Sequence, residues 1–170
     1  MKAADVMTTN VTTIDQDAPV EELIHLFRVS HFTGVPVVDD AGKAVGVVSE
    51  TDILRALAYT ISPPSSGDLL DKLQQRDRGA TARLLESADG PDVAAAALMR
   101  QMLTRTVQEL MTPVVHACKP DDSLADVCMT MVWKGVHRLI VTDPAGRVVG
   151  LISALDAVRC FGEDLKRRGL

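Results

Sequence analysis

Apolar and polar positions along this chain follow a pattern that occurs twice. Val20, Leu23, Ile24 and Phe27 recur at helical spacing, and so do Leu124, Val127, Cys128 and Met131. Such stripes predict two amphipathic helices with their apolar faces in a core. Each follows a short extended stretch, residues 11–14 or 115–118, and an acidic cap region, Asp17-Ala18-Pro19 or Asp121-Asp122-Ser123. Pro suits the first helical turn, and Ser123 with Asp126 resembles an N-terminal cap. Two β-branched runs come next in each half. Val35-Pro36-Val37-Val38 and Ala44-Val45-Gly46-Val47-Val48 flank Asp39-Asp40-Ala41-Gly42; Leu139-Ile140-Val141-Thr142 and Val148-Val149-Gly150-Leu151-Ile152 flank Asp143-Pro144-Ala145-Gly146. Each set predicts a hairpin, with Pro36, which lacks an amide donor, at a strand start or on an edge. A further helix is expected to begin near Asp52 and near Asp156.

The two halves are copies. Residues 7–55 align with residues 111–159 at a constant shift of 104 positions without a gap. The order in each is strand, helix, strand, strand, helix, an α/β (α+β) unit with a small sheet covered on one side by helices. A repeat this short does not bury its apolar face alone, so the copies are expected to pack face to face with pseudo-twofold symmetry. Residues 1–57 form the first copy and 107–170 the second. Between them, residues 58–106 form a helical insert. Ile61-Ser62-Pro63-Pro64-Ser65-Ser66-Gly67 and Ala88-Asp89-Gly90-Pro91 are its breaks. Helices are expected over 68–73 and 92–106, the second with the stripe Ala95, Met99, Met102, Leu103 and Thr106. Such a stripe serves intramolecular packing or, in the minority of cases, a partner.

Composition narrows the function. At 170 residues, with 46% apolar and 24% charged residues, the chain is an ordinary globular protein. Aromatics make up 3%, so the core is aliphatic and stacking platforms for single strands are unexpected. The net charge of −5 comes with no basic stripe, which argues against nucleic acid as a partner. Lys166-Arg167-Arg168 reads as a solvated helix end. No run is long enough to span a bilayer, and the first residues lack an apolar leader. Cys118, Cys128 and Cys160 are odd in number and widely spaced, as expected of reduced thiols in a cytoplasmic protein. His25, His31 and His116 are scattered, so no metal site is expected. No nucleophile, base and orienting group come together, so no enzymatic activity is expected.

Gly46-Val47-Val48-Ser49-Glu50-Thr51-Asp52 and Gly150-Leu151-Ile152-Ser153-Ala154-Leu155-Asp156 carry the candidate chemistry. Glycine inside a strand is costly unless backbone or ligand approaches closely. Ser49 and Ser153 fall at the start of a helix, where backbone amides favour phosphate. Asp52 and Asp156 fall in the first turn, where a carboxylate accepts hydrogen bonds from a vicinal diol. The same spacing also makes a capping box without any ligand, and both readings stand at this point.

With Met-Thr at the start of each copy, a Val-Pro-Val-Val-Asp-like strand, an Asp-x-x-Gly turn and Gly-x-x-Ser-x-x-Asp leading into a helix, the chain resembles cystathionine-β-synthase (CBS) domains. Two in tandem resemble a Bateman module. The resemblance covers both copies, about two-thirds of the chain, and leaves out the insert, which is longer than the linker in many such modules. It implies a noncatalytic, regulatory, ligand-sensing module that binds an adenine nucleotide or related adenosyl ligand and requires no cofactor. Asp52 and Asp156 would hold ribose hydroxyls, and Ser49 and Ser153 would lie near phosphate. Adenine would lie against Thr13, Ile14, Val35 and Pro36 in one copy, and against Ala117, Cys118, Leu139 and Ile140 in the other. His137 and Arg138 replace Thr33 and Gly34 in the second copy. In adenylate-sensing members of the family such a pair contacts phosphate, and Arg138 can serve the ligand of either copy in a shared cleft. The sites are therefore expected to be unequal. Tandem modules of this kind commonly form homodimers, and a dimer is expected here, with an unknown regulated protein as a further partner. The alternative is an interaction scaffold with vestigial pockets that acts through the insert.

Overall fold

The computed structural model describes residues 1–30, 32–61 and 99–169. In chain order the elements are β1 (Ile14–Asp15), α1 (Val20–Ser30), β2 (Gly34–Val38), β3 (Ala44–Ser49), α2 (Glu50–Ile61), β4 (Ala117–Cys118), α3 (Leu124–Lys134), β5 (Arg138–Thr142), β6 (Val148–Ser153) and α4 (Ala154–Arg167). Two three-stranded sheets result, ordered β1-β2-β3 and β4-β5-β6. Within the second, β4 runs parallel to β5 and β5 antiparallel to β6. This is the mixed α/β unit expected from each copy. His31 and the helix expected over 68–73 lie outside the described residues. Of the helix expected over 92–106, only residues 99–103 are described, and they are helical.

Residues pack into two compact units that interleave the copies. One comprises Met1–Thr13, Val38–Gly46 and Val114–Leu170; the other comprises Ile14–Val37 and Val47–Pro113. In each, the lead-in segment of one copy is bound by the body of the other. Ala3 N donates to Asp122 O (2.8 Å), Ala4 N to Pro120 O (2.9 Å), and Thr8 exchanges bonds with Leu151 (2.9 and 3.0 Å). The second unit repeats this at the same shift. Val107 N donates to Ala18 O (2.9 Å), Gln108 N to Gln16 O (2.9 Å), and Thr112 exchanges bonds with Val47 (2.9 and 3.0 Å). Ala3 and Val107, each in a short 3-10 turn, are fully buried. The duplication therefore extends back beyond Met7 and Met111, to two lead-ins whose period is neither helical nor extended.

The core of the first unit joins Ala3, Cys118, Val127, Met131, Leu139, Val141 and Ile152, with Met7, Val136, Val149 and Ala154 packed against it. Val20, Leu23, Phe27, Val35, Val37, Val48, Ile53, Met102 and Val107 are buried in the second. Side chains of this size contribute about 1.5–3 kcal/mol each when removed from water. Ile24, Leu124 and Cys128, placed on the core faces by their spacing, are only half-buried.

The β2–β3 and β5–β6 hairpins turn identically. Asp39 Oδ1 accepts from the amides of Ala41 and Lys43 (3.0 and 2.9 Å), and Asp143 Oδ1 accepts from those of Ala145 and Arg147 (2.9 Å each). Gly42 and Gly146 supply the positive φ, 74° and 83°, that closes such a turn at no steric cost.

Two expectations are corrected. Pro36 stands in the middle of β2, the central strand of its sheet, neither at a start nor on an edge. Its counterpart Ile140 donates its amide to His116 O at 3.1 Å. Proline cannot make that bond, and β1 begins one residue later than the equivalent of β4. Pro19 precedes α1 rather than entering its first turn.

Gly150 faces protein, not ligand. A Cβ there would collide with Met7 Sδ and lie 3.2 Å from Met7 Cβ, which cannot swing away. Gly150→Ala should therefore cost about 1–3 kcal/mol, seen as a lowered denaturant midpoint. Gly162, inside α4, borders open space where a Cβ would stand, and Gly162→Ala should stabilise by up to about 1 kcal/mol. Equal effects of the two would contradict the close approach of Met7.

Candidate functional site

Both Gly-x-x-Ser-x-x-Asp phrases bring their serine and aspartate together where a strand gives way to a helix. In the first copy, Asp52 Oδ2 accepts from the Ser49 amide (2.9 Å) and from Ser49 Oγ (2.6 Å). In the second, Asp156 Oδ2 accepts from the Ser153 amide (2.9 Å) and from Ser153 Oγ (2.6 Å), and the Asp156 amide donates to Ser153 Oγ (3.3 Å). The second is a full capping box; in the first, the Asp52 side chain accepting from the Ser49 amide is one half of such a box. The remaining oxygens, Oδ1, each take an arginine three residues on. Arg55 Nη1 donates to Asp52 at 3.0 Å, and Arg159 Nη2 to Asp156 at 3.1 Å. Arg55 and Arg159 also sit at the shift of 104, the signal by which the sequence could have revealed them.

The two roles of the aspartate are compatible. A carboxylate has about four acceptor positions. Oδ2 is spent on the cap, while Oδ1 holds one exposed arginine, an ion pair worth about 0–1 kcal/mol. A vicinal diol can displace that arginine and leave the cap intact. The helix start is less open to phosphate than bare geometry suggests. The Ser153 and Asp156 amides are bound within the box, and the Ala154 amide donates to His137 O (2.9 Å). Glu50 N likewise donates to Thr33 O (3.2 Å). Each serine hydroxyl already donates to its aspartate, so it must rotate to reach a phosphate oxygen.

The copies differ in cation placement. Arg138 is the cross-strand partner of Ser153 in the β5–β6 register, and directly opposite residues hold their Cβ atoms about 5 Å apart. Its counterpart, Gly34, has no side chain; a Cβ there would lie 3.4 Å from Ser49 Cβ and 3.2 Å from Val48 O. An arginine opposite the box serine in the strand register is thus found in the second copy, where the first has glycine. His137 diverges from it and lines a groove between α3 and α4.

Strand alternation sorts the adenine candidates. Cys118 and Leu139 belong to the core with Val141 and Ile152, so their side chains face the helices. Ala117, Ile140 and Leu151 share one register row on the other face. The equivalents of Ala117 and Ile140 are Thr13, half-buried, and Pro36, buried, whereas Ile14 and Val35 match Cys118 and Leu139 and are buried. Ala117 and Ile140 thus lie on the face away from the helix-covered core, Ala117 exposed and Ile140 buried. No group of three or more His, Cys, Asp or Glu able to hold a metal occurs among the described residues. None of their helices is long and apolar enough to cross a membrane.

With this geometry in place, comparison with known proteins identifies the class. CBS domains match residues 3–59 and 107–163, so the chain belongs to the CBS domain family as a tandem pair, a Bateman module. Uncharacterized protein MJ1225 of Methanocaldococcus jannaschii is 26% identical over 160 residues, 94% of this chain and 42% of that protein. Arabidopsis thaliana CBSX2, solved in complex with AMP, superimposes with a TM-score of 0.65 at 22% identity, over 95% of this chain and 96% of the other. The CBS domain pair of protein MJ0100, solved with 5′-methylthioadenosine and S-adenosyl-L-methionine, gives 0.64 at 20% identity, over 96% and 98%. These likenesses show the fold.

Burial, aided by the Asp122 carboxylate, pushes the Cys118 thiol up from its ordinary 9.0 to about 11. A thiol raised in the folded state stabilises fully below about pH 9, and that contribution is lost as pH climbs through about 11. The thermal midpoint should therefore fall over this window, and fall less in Cys118→Ala when each protein is referred to its own value at about pH 8. Parallel curves would show that the thiol is not buried as described.

Proposed function

We propose that this CBS pair is a noncatalytic regulatory module that binds an adenine nucleotide (AMP, ADP or ATP) or a related adenosyl ligand, and that it acts as a homodimer in the cytoplasm. The observation that carries the reading is the aspartate at each helix start, fixed by its cap through one oxygen and held through the other only by an exposed arginine. Ribose hydroxyls would take that second oxygen. The adenosyl ligands bound by CBSX2 and by the pair of MJ0100 support the same chemistry. Residues 1–57 and 107–170 would each supply one site, with the insert 58–106 outside both. Ligand would shift the population of two arrangements of the module, which a partner protein reads.

The sites are unequal in this reading. Arg138, beside Ser153, meets phosphate as a planar fork. The first copy, with Gly34, relies on ribose and base. A second reading, a scaffold with vestigial pockets, is favoured by the fully engaged serine–aspartate boxes.

Calorimetry separates the readings. Asp156→Asn keeps a cap acceptor and removes the charge; it should weaken AMP about tenfold or more, since hydrogen bonds to charged groups are worth about 1.5–3 kcal/mol. Asp52→Asn reports the other site in the same way. Arg138→Ala should weaken AMP while leaving adenosine unchanged. If no adenosyl compound binds the unmodified protein, the scaffold reading holds; if neither aspartate variant weakens AMP, the ribose assignment is wrong.

A further inference from the structure

Each aspartate at a helix start carries an arginine on the oxygen that its serine leaves over. Arg55 Nη1 lies 3.0 Å from Asp52 Oδ1, and Arg159 Nη2 lies 3.1 Å from Asp156 Oδ1. Along residues 50–55 and 154–159, aspartate and arginine are the two residues that recur; Glu50, Thr51, Ile53 and Leu54 give way to Ala154, Leu155, Ala157 and Val158. An Asp–Arg pair three residues apart lends any helix a little stability. Here the pair also occupies an oxygen that a diol needs.

Counting acceptor positions shows the conflict. A carboxylate oxygen has about two. Oδ2 fills both with the amide and the hydroxyl of its serine. Oδ1 gives one to the arginine. A vicinal diol brings two donors and meets one open position. The two pairs are also unequal. The Asp52 side chain is 10% exposed and that of Arg55 51%, against 19% and 64% for Asp156 and Arg159. Solvent and salt screen the more exposed pair more strongly, so Arg159 yields more readily than Arg55.

We propose that Arg55 and Arg159 are internal competitors of the ligand's diol. Each holds its own site partly closed, and the site opens when the guanidinium leaves Oδ1. This rests on the ribose reading of Asp52 and Asp156 and adds a regulation to it. Salt weakens an exposed ion pair but hardly touches the hydrogen bonds of an uncharged diol. Adenosine should therefore bind more tightly as salt rises, the reverse of a ligand held by charge attraction. AMP does not show this cleanly, because salt also weakens contacts to its phosphate.

Calorimetry of adenosine with the full chain tests the competition. Asp52→Asn silences the first site so that the second is read alone, and Asp156→Asn does the reverse. Arg159→Ala added to Asp52→Asn should tighten adenosine by up to about fivefold, the range set by exposed ion pairs. Arg55→Ala added to Asp156→Asn should tighten it at least as much. Raising sodium chloride from about 20 to about 500 mM should tighten adenosine about twofold where the arginine is present and leave it unchanged where it is not. 2′-Deoxyadenosine, which has no diol, should gain nothing from either substitution. Arg159→Lys restores a cation and should return the affinity toward its starting value. Both arginines are exposed and alanine favours a helix, so folding tolerates the change, and circular dichroism verifies it. Adenosine that binds equally or more weakly after both substitutions would overturn the competition and leave the ribose reading standing. Equal tightening of adenosine and 2′-deoxyadenosine would show that the arginine merely fills space, which also overturns it. Adenosine bound neither by the unmodified chain nor by the arginine variants would overturn the ribose reading and the competition together.

Discussion

Reciprocal exchange of lead-in segments is the constraint on which the structure depends. Each lead-in is held by the same three backbone contacts, with acceptors at 122, 120 and 151 in one unit and at 18, 16 and 47 in the other. Backbone groups buried without partners are costly, and here the edge strands β3 and β6 find theirs at Thr112 and Thr8. The same exchange fixes the close approach of Met7 to Gly150. It also accounts for the glycine inside β6, a position that the sequence alone leaves open to ligand.

The site inherits its geometry from this frame. Strand β6 ends at Ser153, the helix starts at Ala154, and one carboxylate closes the junction in both copies. Capping uses one oxygen of that carboxylate, and the proposed ribose contact would use the other. An aspartate already oriented by a cap loses less entropy on gripping a diol than a mobile one would. The junction is thus a stability element, and the proposed recognition would require the same spacing.

Much of this is legible in the sequence because duplication checks itself. Two gapless copies locate α1 to α4, both hairpins and both serine–aspartate pairs. Pro36 is misplaced by a proline rule built on full ladders, which ignores how short β1 is; the two-residue strand loses one bond and survives. The lead-ins escape a periodicity reading because Ala3-Ala4-Asp5 and Val107-Gln108-Glu109 form 3-10 turns too short to show a period. Strand membership alone does not say which face a side chain takes; the side chains of Cys118 and Leu139 lie in the core. The placement of Arg138 opposite Ser153 depends on register, which a hairpin turn of known length allows one to count.

The interleaving also orders events at birth. The first thirteen residues belong with residues 114–170, so they leave the ribosome long before their binding surface exists. Contacts separated this far along a chain form late and slowly. Until Leu151 emerges, Thr8 has no strand to pair with, and the first unit closes only once the second copy has been made.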